Sequence, residues 1–229
     1  MSFRFKQFAI EDSKCAMKVG TDGVLLGCWA PTPHLPFDHL PFTILDVGTG
    51  SGLIARMLMQ RCPEAKVEGI DIDADAAEQA KENGVHAYCA KLQEWQGSYD
   101  LIVSNPPYFQ NSLKNPDAGR KTARHTDTLS YADLVKHSAR LLKEDGLLAL
   151  ILPAEAETEV RQLAAAEGMY LTRITRVYSK ENKPAKRVLL LFEKSRPRDL
   201  EITTDSLILE DEKGGRSAAY SELCKEFYL

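Results

Sequence analysis

The sequence lacks a Cys-x-x-Cys pair, a long apolar run and a strong excess of charge of one sign, and each absence excludes a class of protein. Its five cysteines are scattered, which indicates free thiols in a reducing compartment and argues against a zinc site or a disulfide framework. No apolar stretch approaches the roughly 18 residues that cross a bilayer, and the polar start at 1–6 differs from a signal peptide. We therefore expect a cytoplasmic protein without metal or membrane segment.

The length and the order of apolar segments predict one α/β domain. A chain of 229 residues with 44% hydrophobic residues can bury a sizeable core. Strand and helix patterns alternate from residue 42 onward, which favours a doubly wound, mostly parallel sheet with ligands at its carboxyl edge. Residues 171–177 and 187–193 are expected to form a final antiparallel pair, and 202–209 a late edge strand. We assign 1–41 to an N-terminal extension with a helix and 42–229 to the core of the same domain.

A glycine-rich loop at 46–52 follows the first strand of this core. It reads Asp-Val-Gly-Thr-Gly-Ser-Gly, and glycines let the backbone turn tightly and approach a ligand at the start of the next helix. A dinucleotide loop requires Gly-x-Gly-x-x-Gly, but here Gly52 comes one residue early. The spacing, with Asp46 ahead of it, resembles the S-adenosylmethionine loop of Rossmann-like methyltransferases.

An acidic residue ends the second predicted strand, at 65–70. Asp71 lies 19 residues beyond Gly52, and a carboxylate at this position can accept hydrogen bonds from both hydroxyls of a ribose. Asp73 and Asp75 are better explained as caps of the helix predicted at 74–83. The sequence thus predicts a nucleotide-type ligand at the ends of strands one and two.

The tetrapeptide Asn105 to Tyr108 is the strongest clue to chemistry. It follows the apolar run 99–104, so a buried strand would deliver it to the same sheet edge. Two prolines stiffen the backbone, the Asn105 amide and nearby carbonyls can accept bonds from a planar amine, and Tyr108 can stack on it. Adenine, cytosine and the glutamine side chain all carry such an amine.

Five segments together resemble the bacterial valine-tRNA adenine methyltransferases. They are 17–27, the glycine loop, 104–109, 123–125 and the terminal Phe-Tyr-Leu. The resemblance implies a Rossmann-like class I fold with a mostly parallel seven-stranded sheet whose last strand is antiparallel. It also implies methylation of the exocyclic amine of the adenosine just 3′ of the anticodon, with S-adenosylmethionine as cofactor.

The resemblance also implies which residues of this chain form the site. Thr21 and Asp22, which open a predicted amphipathic helix, would line the cofactor pocket, although an N-cap role explains Asp22 equally well. The target base would be held by Asn105, Pro106, Pro107 and Tyr108. The residues assigned to the cofactor are Thr21, Asp46, Gly48, Gly50, Gly52, Asp71, Ile72, Leu92 and Asn105.

One position departs from the related methyltransferases. They often place Asp where this chain has Lys91, so that the carboxylate accepts from the adenine amine of the cofactor. Lysine cannot accept a hydrogen bond. Adenine recognition would then depend on backbone groups around 90–92, or on another residue that the sequence does not identify.

Basic residues are concentrated in two predicted loops, although the net charge of −4 argues against general affinity for nucleic acid. One loop follows Tyr108 and the other joins the last two strands. Solvated loops are also commonly charged, but two such loops beside an amine-binding motif favour RNA contact. The residues assigned to RNA are Phe109, Lys114, Arg120, Lys121, Arg124, Lys183 and Lys186.

The preferred interpretation is a monomeric, metal-independent tRNA (adenine-N6) methyltransferase. The same amine-binding motif would suit a protein glutamine methyltransferase or a DNA adenine methyltransferase. A non-catalytic cofactor-binding or RNA-binding module is a further alternative from another class. The basic loops and the compact length favour RNA as the substrate.

Overall fold

A computed structural model describes residues 2–32, 41–107, 129–197 and 201–229. Ten strands and six helices are assigned within these ranges. The strands are β1 (Ser2–Arg4), β2 (Ala9–Glu11), β3 (Thr43–Val47), β4 (Lys66–Asp71), β5 (His86–Cys89), β6 (Tyr99–Ser104), β7 (Leu142–Pro153), β8 (Tyr170–Tyr178), β9 (Ala185–Glu193) and β10 (Thr203–Ile208). The helices are α1 (Thr21–Trp29), α2 (Leu53–Arg61), α3 (Ala74–Glu82), α4 (Tyr131–Leu141), α5 (Glu157–Ala166) and α6 (Ala218–Leu223).

The central sheet has the order β10-β8-β9-β7-β6-β3-β4-β5 in the described residues. Strands β7, β6, β3, β4 and β5 are parallel neighbours, and β9 is antiparallel to both β7 and β8. The predicted α/β class is confirmed. Strands β3 to β9 are the seven strands expected, and the last of them, β9, is antiparallel to its neighbours. The sheet has an eighth strand, because β10 adds to the exposed edge of β8 in parallel.

The sheet is covered on both faces, as a doubly wound fold requires. One apolar cluster joins the sheet to α1 and α2, and includes Leu25 and Met57. The other joins it to α4 and α5, and includes Leu134 and Val160. Strand β6 is buried at every position, as expected for a central parallel strand between two helical layers.

Most local signals for helix boundaries are confirmed. Ser130 caps α4 by accepting from the Asp133 N–H, and Asp73 caps α3 by accepting from the Asp75 N–H. Asp75, also predicted as a cap, instead lies in the first turn of α3, and its N–H donates to Asp73. A single 3-10 turn, Ala154–Ala156, follows Pro153, and α5 begins directly after it.

One alternative and one expectation about α1 are wrong. Its N-cap is Gly20, not Asp22, and no side chain caps it. The helix is also not amphipathic, since every residue from Gly23 to Trp29 is buried. Tertiary packing explains this: α1 contacts α2, and its Cys28 Sγ lies 3.3 Å from Cys224 Sγ in the C-terminal segment.

The two ends of the chain meet in a feature that sequence patterns did not predict. Strands β1 and β2 form a short antiparallel hairpin, and the Lys6 N–H donates to the Phe227 carbonyl at 2.9 Å. Phe227 is 2% exposed. In the described residues, no helix combines the length and the apolar character needed to cross a membrane.

Candidate active site at the carboxyl edge of the sheet

The carboxyl edge of the sheet brings together the three motifs that the sequence singles out. Val47, at the end of β3, is in register with Ile70 of β4 on one side and Ser104 of β6 on the other. The glycine loop, Asp71 and the Asn105 turn follow these positions directly. They are therefore neighbours in space although they span 60 residues of sequence.

The glycine loop is tied to β4 through its backbone. The N–H groups of Gly48 and Thr49 donate to the Ile70 carbonyl at 2.9 and 3.0 Å, and the Gly50 N–H donates to Asp71 Oδ2 at 2.9 Å. Gly48, Gly50 and Gly52 all have positive φ, at 69°, 56° and 80°, a region that other residues rarely adopt. The loop is thus held open in the shape that the Gly-x-Gly-x-Gly spacing predicts.

Asp71 lies at the border between the loop and α3. Its second oxygen, Oδ1, accepts from the Asp73 N–H at 3.0 Å. Burial raises the pKa of this carboxyl above its ordinary value, while the bonds from the Asp73 and Gly50 N–H groups oppose that rise. Each carboxylate oxygen has two lone pairs, so these backbone bonds are compatible with acceptance from ribose hydroxyls.

Asp46 lies beneath the glycine loop and is completely buried. Its Oδ2 accepts from Thr49 Oγ1 at 2.8 Å and from the Ala55 N–H at 3.2 Å. Burial raises the pKa of Asp46 to about 7, against the opposing effect of these two bonds. The carboxylate therefore braces both ends of the loop, and its direct contact with a cofactor stays a prediction.

The Asn105 turn lies on the other side of the glycine loop. Ser104 Oγ donates to the Val47 carbonyl at 2.8 Å, which fixes the end of β6 against β3. Pro106 is buried and Pro107 is exposed. Asn105 is half-buried, and its Nδ2 lies 3.8 Å from the sulfur of Met17. The N-terminal motif at 17–27 therefore reaches the predicted amine-binding turn.

Asn83 attaches the N-terminal segment to the site, a role that sequence analysis missed. Its Oδ1 accepts from the Glu11 N–H at 3.0 Å, and its Nδ2 donates to the Glu11 and Ser51 carbonyls at 2.7 and 2.8 Å. One side chain thus connects β2, α3 and the glycine loop. The sequence carries no local signal for this contact, because its partners lie 72 and 32 residues away.

Three other predicted cofactor residues lie at positions with different exposure. Thr21 is the exposed first residue of α1. Ile72 directly follows Asp71 and is 48% exposed, whereas Leu92 is 3% exposed. An exposed isoleucine beside the glycine loop offers an apolar surface to a flat ligand. Lys91 is exposed, and its carbonyl accepts from the Glu94 and Trp95 N–H groups.

The second basic loop is confirmed as the turn between β8 and β9, which contains Lys183, whereas Lys186 is the second residue of β9. Because β9 is antiparallel to both β7 and β8, β8 runs in the direction of the parallel strands and this turn lies at the carboxyl edge. It extends the site beyond β7, on the side away from β4. Tyr108, Phe109, Lys114, Arg120, Lys121 and Arg124 lie outside the described residues, so their assignments stay predictions.

Comparison with known proteins agrees with this arrangement. Residues 32–167 match the family model described as "Methyltransferase small domain". The tRNA1(Val) (adenine(37)-N6)-methyltransferase of Flavobacterium johnsoniae is 41% identical, with 99% of each chain covered. That of Parabacteroides distasonis is 44% identical over 99% of this chain and 97% of its own. The chain belongs to this methyltransferase family.

Solved structures support the fold of the methyltransferase. A predicted O-methyltransferase from Agrobacterium tumefaciens superimposes with a TM-score of 0.67 at 17% identity, over 90% of this chain and 96% of that one. A putative class I S-adenosylmethionine-dependent methyltransferase from Listeria monocytogenes gives 0.55 at 15% identity, over 81% and 62%. These likenesses concern the class I architecture alone.

The cofactor of the methyltransferase is S-adenosylmethionine, and its described residues fit that molecule. A Cβ atom added to Gly48 or Gly50 would meet no atom within 4 Å, so the loop faces open space. In the described residues, Oδ1 of the buried Asp46 has no hydrogen-bond partner. The Asp71 carboxylate and the open space beside Gly48 and Gly50 suit a cationic nucleoside. Among the same residues, no group of three or more His, Cys, Asp or Glu could hold a metal ion.

Proposed function

We propose that this methyltransferase transfers a methyl group from S-adenosylmethionine to N6 of the adenosine next to the anticodon of a valine tRNA. The observation that carries the proposal is the Asn-Pro-Pro turn, which follows buried β6 and lies next to the glycine loop. The full-length relatives named for this reaction support it.

The chemistry assigned to Asn105 follows from the weak nucleophilicity of an aromatic amine. The lone pair of the adenine amine is delocalised into the ring, so it must be directed away from the ring before transfer. The Asn105 side-chain oxygen and the Pro106 carbonyl would each accept one N–H bond. Bound S-adenosylmethionine supplies an electrophilic methyl group. The rigid turn would then contribute orientation, which can provide several of the about 7–11 kcal/mol available from fixed geometry.

Access to the base requires that the adenosine leave its stack. For a nucleotide in a single-stranded loop this costs only a few kcal/mol. Tyr108 and Phe109 are proposed to stack on the extruded base, and the basic loops to contact the flanking phosphates. Proton loss from the methylated amine can follow to water, because the product amine is a strong acid while it is still cationic.

The organisation of the protein is part of this proposal. We assign 1–229 to one domain, supported by the bonds that join Asn83 to Glu11 and Lys6 to Phe227. A monomer in the cytoplasm would meet its tRNA substrate directly. Size-exclusion chromatography with light scattering would test the monomer, and an elution at twice the mass of 25.5 kDa would contradict it.

The experiment that tests the proposed function is methyl transfer to RNA. Purified protein and labelled S-adenosylmethionine are incubated with total tRNA from cells that lack the activity, and the nucleosides are then analysed. The expected product is 6-methyladenosine in valine tRNA. Label in protein would instead indicate glutamine methylation, label in DNA would indicate DNA adenine methylation, and cofactor binding without any transfer would indicate a binding module.

A further inference from the structure

An ion pair at the carboxyl edge joins α1 to β9. Arg187 Nε donates to Asp22 Oδ2 at 2.8 Å, and Arg187 Nη1 donates to the Lys186 carbonyl at 2.9 Å. The side chains of Arg187 and Asp22 are 30% and 25% exposed. Two bonds from different nitrogens fix the plane of the guanidinium group, so its direction is set before any ligand arrives.

Sheet register places this arginine close to the amine-binding turn. Ser104, the last residue of β6, is level with Leu150 of β7, so Pro153 lies three residues, about 10 Å, beyond the end of β6 on the carboxyl side. Pro153 is in turn paired with Arg187 of β9. Neighbouring strands are about 4.8 Å apart, so β9 lies about 10 Å across the sheet from β6. Arg187 is therefore at the carboxyl edge, on the same side of the sheet as the Asn105 turn, and its long side chain can extend toward that turn.

We infer that Arg187 binds the tRNA phosphate that flanks the target adenosine, and that Asp22 orients its guanidinium group. A base extruded into a pocket leaves its flanking phosphates at the pocket rim. Arg187 lies at such a distance from the Asn105 turn, and a guanidinium group binds phosphate through parallel N–H bonds in a fixed plane. This inference rests on the proposed function, which supplies the base and its phosphates.

The charges around the basic turn favour Arg187 over Lys180. Lys180 forms an ion pair with Glu210 at 3.1 Å. It also lines a groove of about 610 Å³ together with Glu210, Asp211 and Glu212, where a phosphate would be repelled. Arg187 lies at the opposite end of the turn, next to β7 and the Asn105 turn. The path of the RNA backbone should therefore cross the Arg187 end.

A matched control distinguishes this role from the general loss of an ion pair. Arg173 of β8 donates from Nε to Asp205 Oδ2 at 3.0 Å, the same contact type as in the Arg187 pair. In the sheet, Arg173 pairs with Leu191 of β9, and Leu191 pairs with Ala149 of β7. Ala149 lies four residues before Pro153, which is level with Arg187. Arg173→Ala thus removes the same charge and the same kind of bond from a site about 13 Å further from the carboxyl edge.

The experiment measures steady-state methylation and tRNA affinity for Arg187→Ala, Arg187→Lys, Asp22→Asn and Arg173→Ala. In Arg187→Ala, KM for tRNA is expected to rise about tenfold. The slope of log affinity against log salt should fall by about one, while the Kd for S-adenosylmethionine stays unchanged. Arg187→Lys and Asp22→Asn should raise KM by less and keep the wild-type salt slope, and Arg173→Ala should match wild type in both.

Three results would overturn the inference. One is a wild-type KM and salt slope in Arg187→Ala, and another is an equal effect of Arg173→Ala. The third is a parallel loss of cofactor affinity in Arg187→Lys, which would indicate a structural role for the ion pair. Failure of the proposed function looks different, because wild-type protein would then transfer no methyl to tRNA under any condition.

Discussion

Asp46 is a buried carboxylate whose charge the fold disfavours. Its pKa of about 7 in the folded protein is higher than in an unfolded chain, so the folded state binds more protons between about pH 4 and 7. The resulting stabilisation is complete below pH 4 and is lost as pH rises through 7. At about 1.4 kcal/mol per pKa unit, the full change is on the order of 4 kcal/mol.

The variant Asp46→Asn tests this titration. Asn keeps an acceptor for Thr49 and Ala55 but does not ionise. Urea unfolding without cofactor at pH 5 and pH 8 should show that wild type loses more free energy of unfolding than the variant as pH rises. Equal losses in the two proteins would show that Asp46 does not change protonation in this range.

Asn105, which is also assigned to the cofactor pocket, is expected to act chiefly on the methyl acceptor. Asn105→Ala removes the proposed acceptor for the adenine amine, so methyl transfer should fall about 100-fold or more. Calorimetric titration should show nearly wild-type affinity for S-adenosylmethionine. Gln96→Ala, which removes an exposed amide from another loop, serves as the control and should leave both quantities unchanged. An equal loss of cofactor affinity in Asn105→Ala would contradict the assigned role.

At the scale of elements, two glycines of the loop are needed for different reasons, one for packing and one for open space beside the ligand. The sequence pattern does not distinguish these two reasons. A Cβ on Gly52 would lie 2.7 Å from Val85 Cγ2 and 3.2 Å from Ala80 Cβ, whereas one on Gly50 would meet no neighbour within 4 Å. Gly52 therefore lets the loop pack on α3 and the chain before β5. Gly50 keeps space open on the ligand side.

The paired variants Gly52→Ala and Gly50→Ala should differ accordingly. Positive φ costs a residue other than glycine about 1–2 kcal/mol, and steric overpacking adds about 1–3 kcal/mol in Gly52→Ala alone. Urea unfolding should show the larger loss of stability for Gly52→Ala. Gly50→Ala should remain folded yet bind S-adenosylmethionine more weakly. Similar stability of the two variants, or undiminished cofactor affinity in Gly50→Ala, would contradict these assignments.

At the scale of the whole molecule, the C-terminus helps to hold the N-terminal hairpin. Phe227 is buried, and its carbonyl accepts from the Lys6 N–H. The central carbon of the Arg216 guanidinium group lies over the Tyr228 ring, 3.7 Å from the ring centroid. The Tyr228 hydroxyl is 2.9 Å from the Tyr220 hydroxyl. Asn83 attaches the second strand of this hairpin, at Glu11 of β2, to the glycine loop.

Deletion of residues 227–229 should therefore destabilise the entire protein. Loss of a buried Phe costs about 3–5 kcal/mol, and thermal unfolding should show a clear decrease in Tm. Deletion of Leu229 alone is the control, because this residue is 83% exposed, and it should leave Tm almost unchanged. A wild-type Tm after the longer deletion would show that the C-terminal segment is dispensable for the fold.

The sequence by itself determined the strand-loop-helix order, the glycine spacing, Asp71 at the end of β4 and the Asn105 turn after β6. Each of these depends on residues adjacent in the chain, whose conformational preferences and apolar periodicity act locally. Only the tertiary structure decided that α1 is buried and that Asn83 joins the N-terminal segment to the loop. It also decided that Asp22 pairs with Arg187, 165 residues away. Such contacts depend on sheet register and packing between distant segments, and no periodicity in the sequence encodes them.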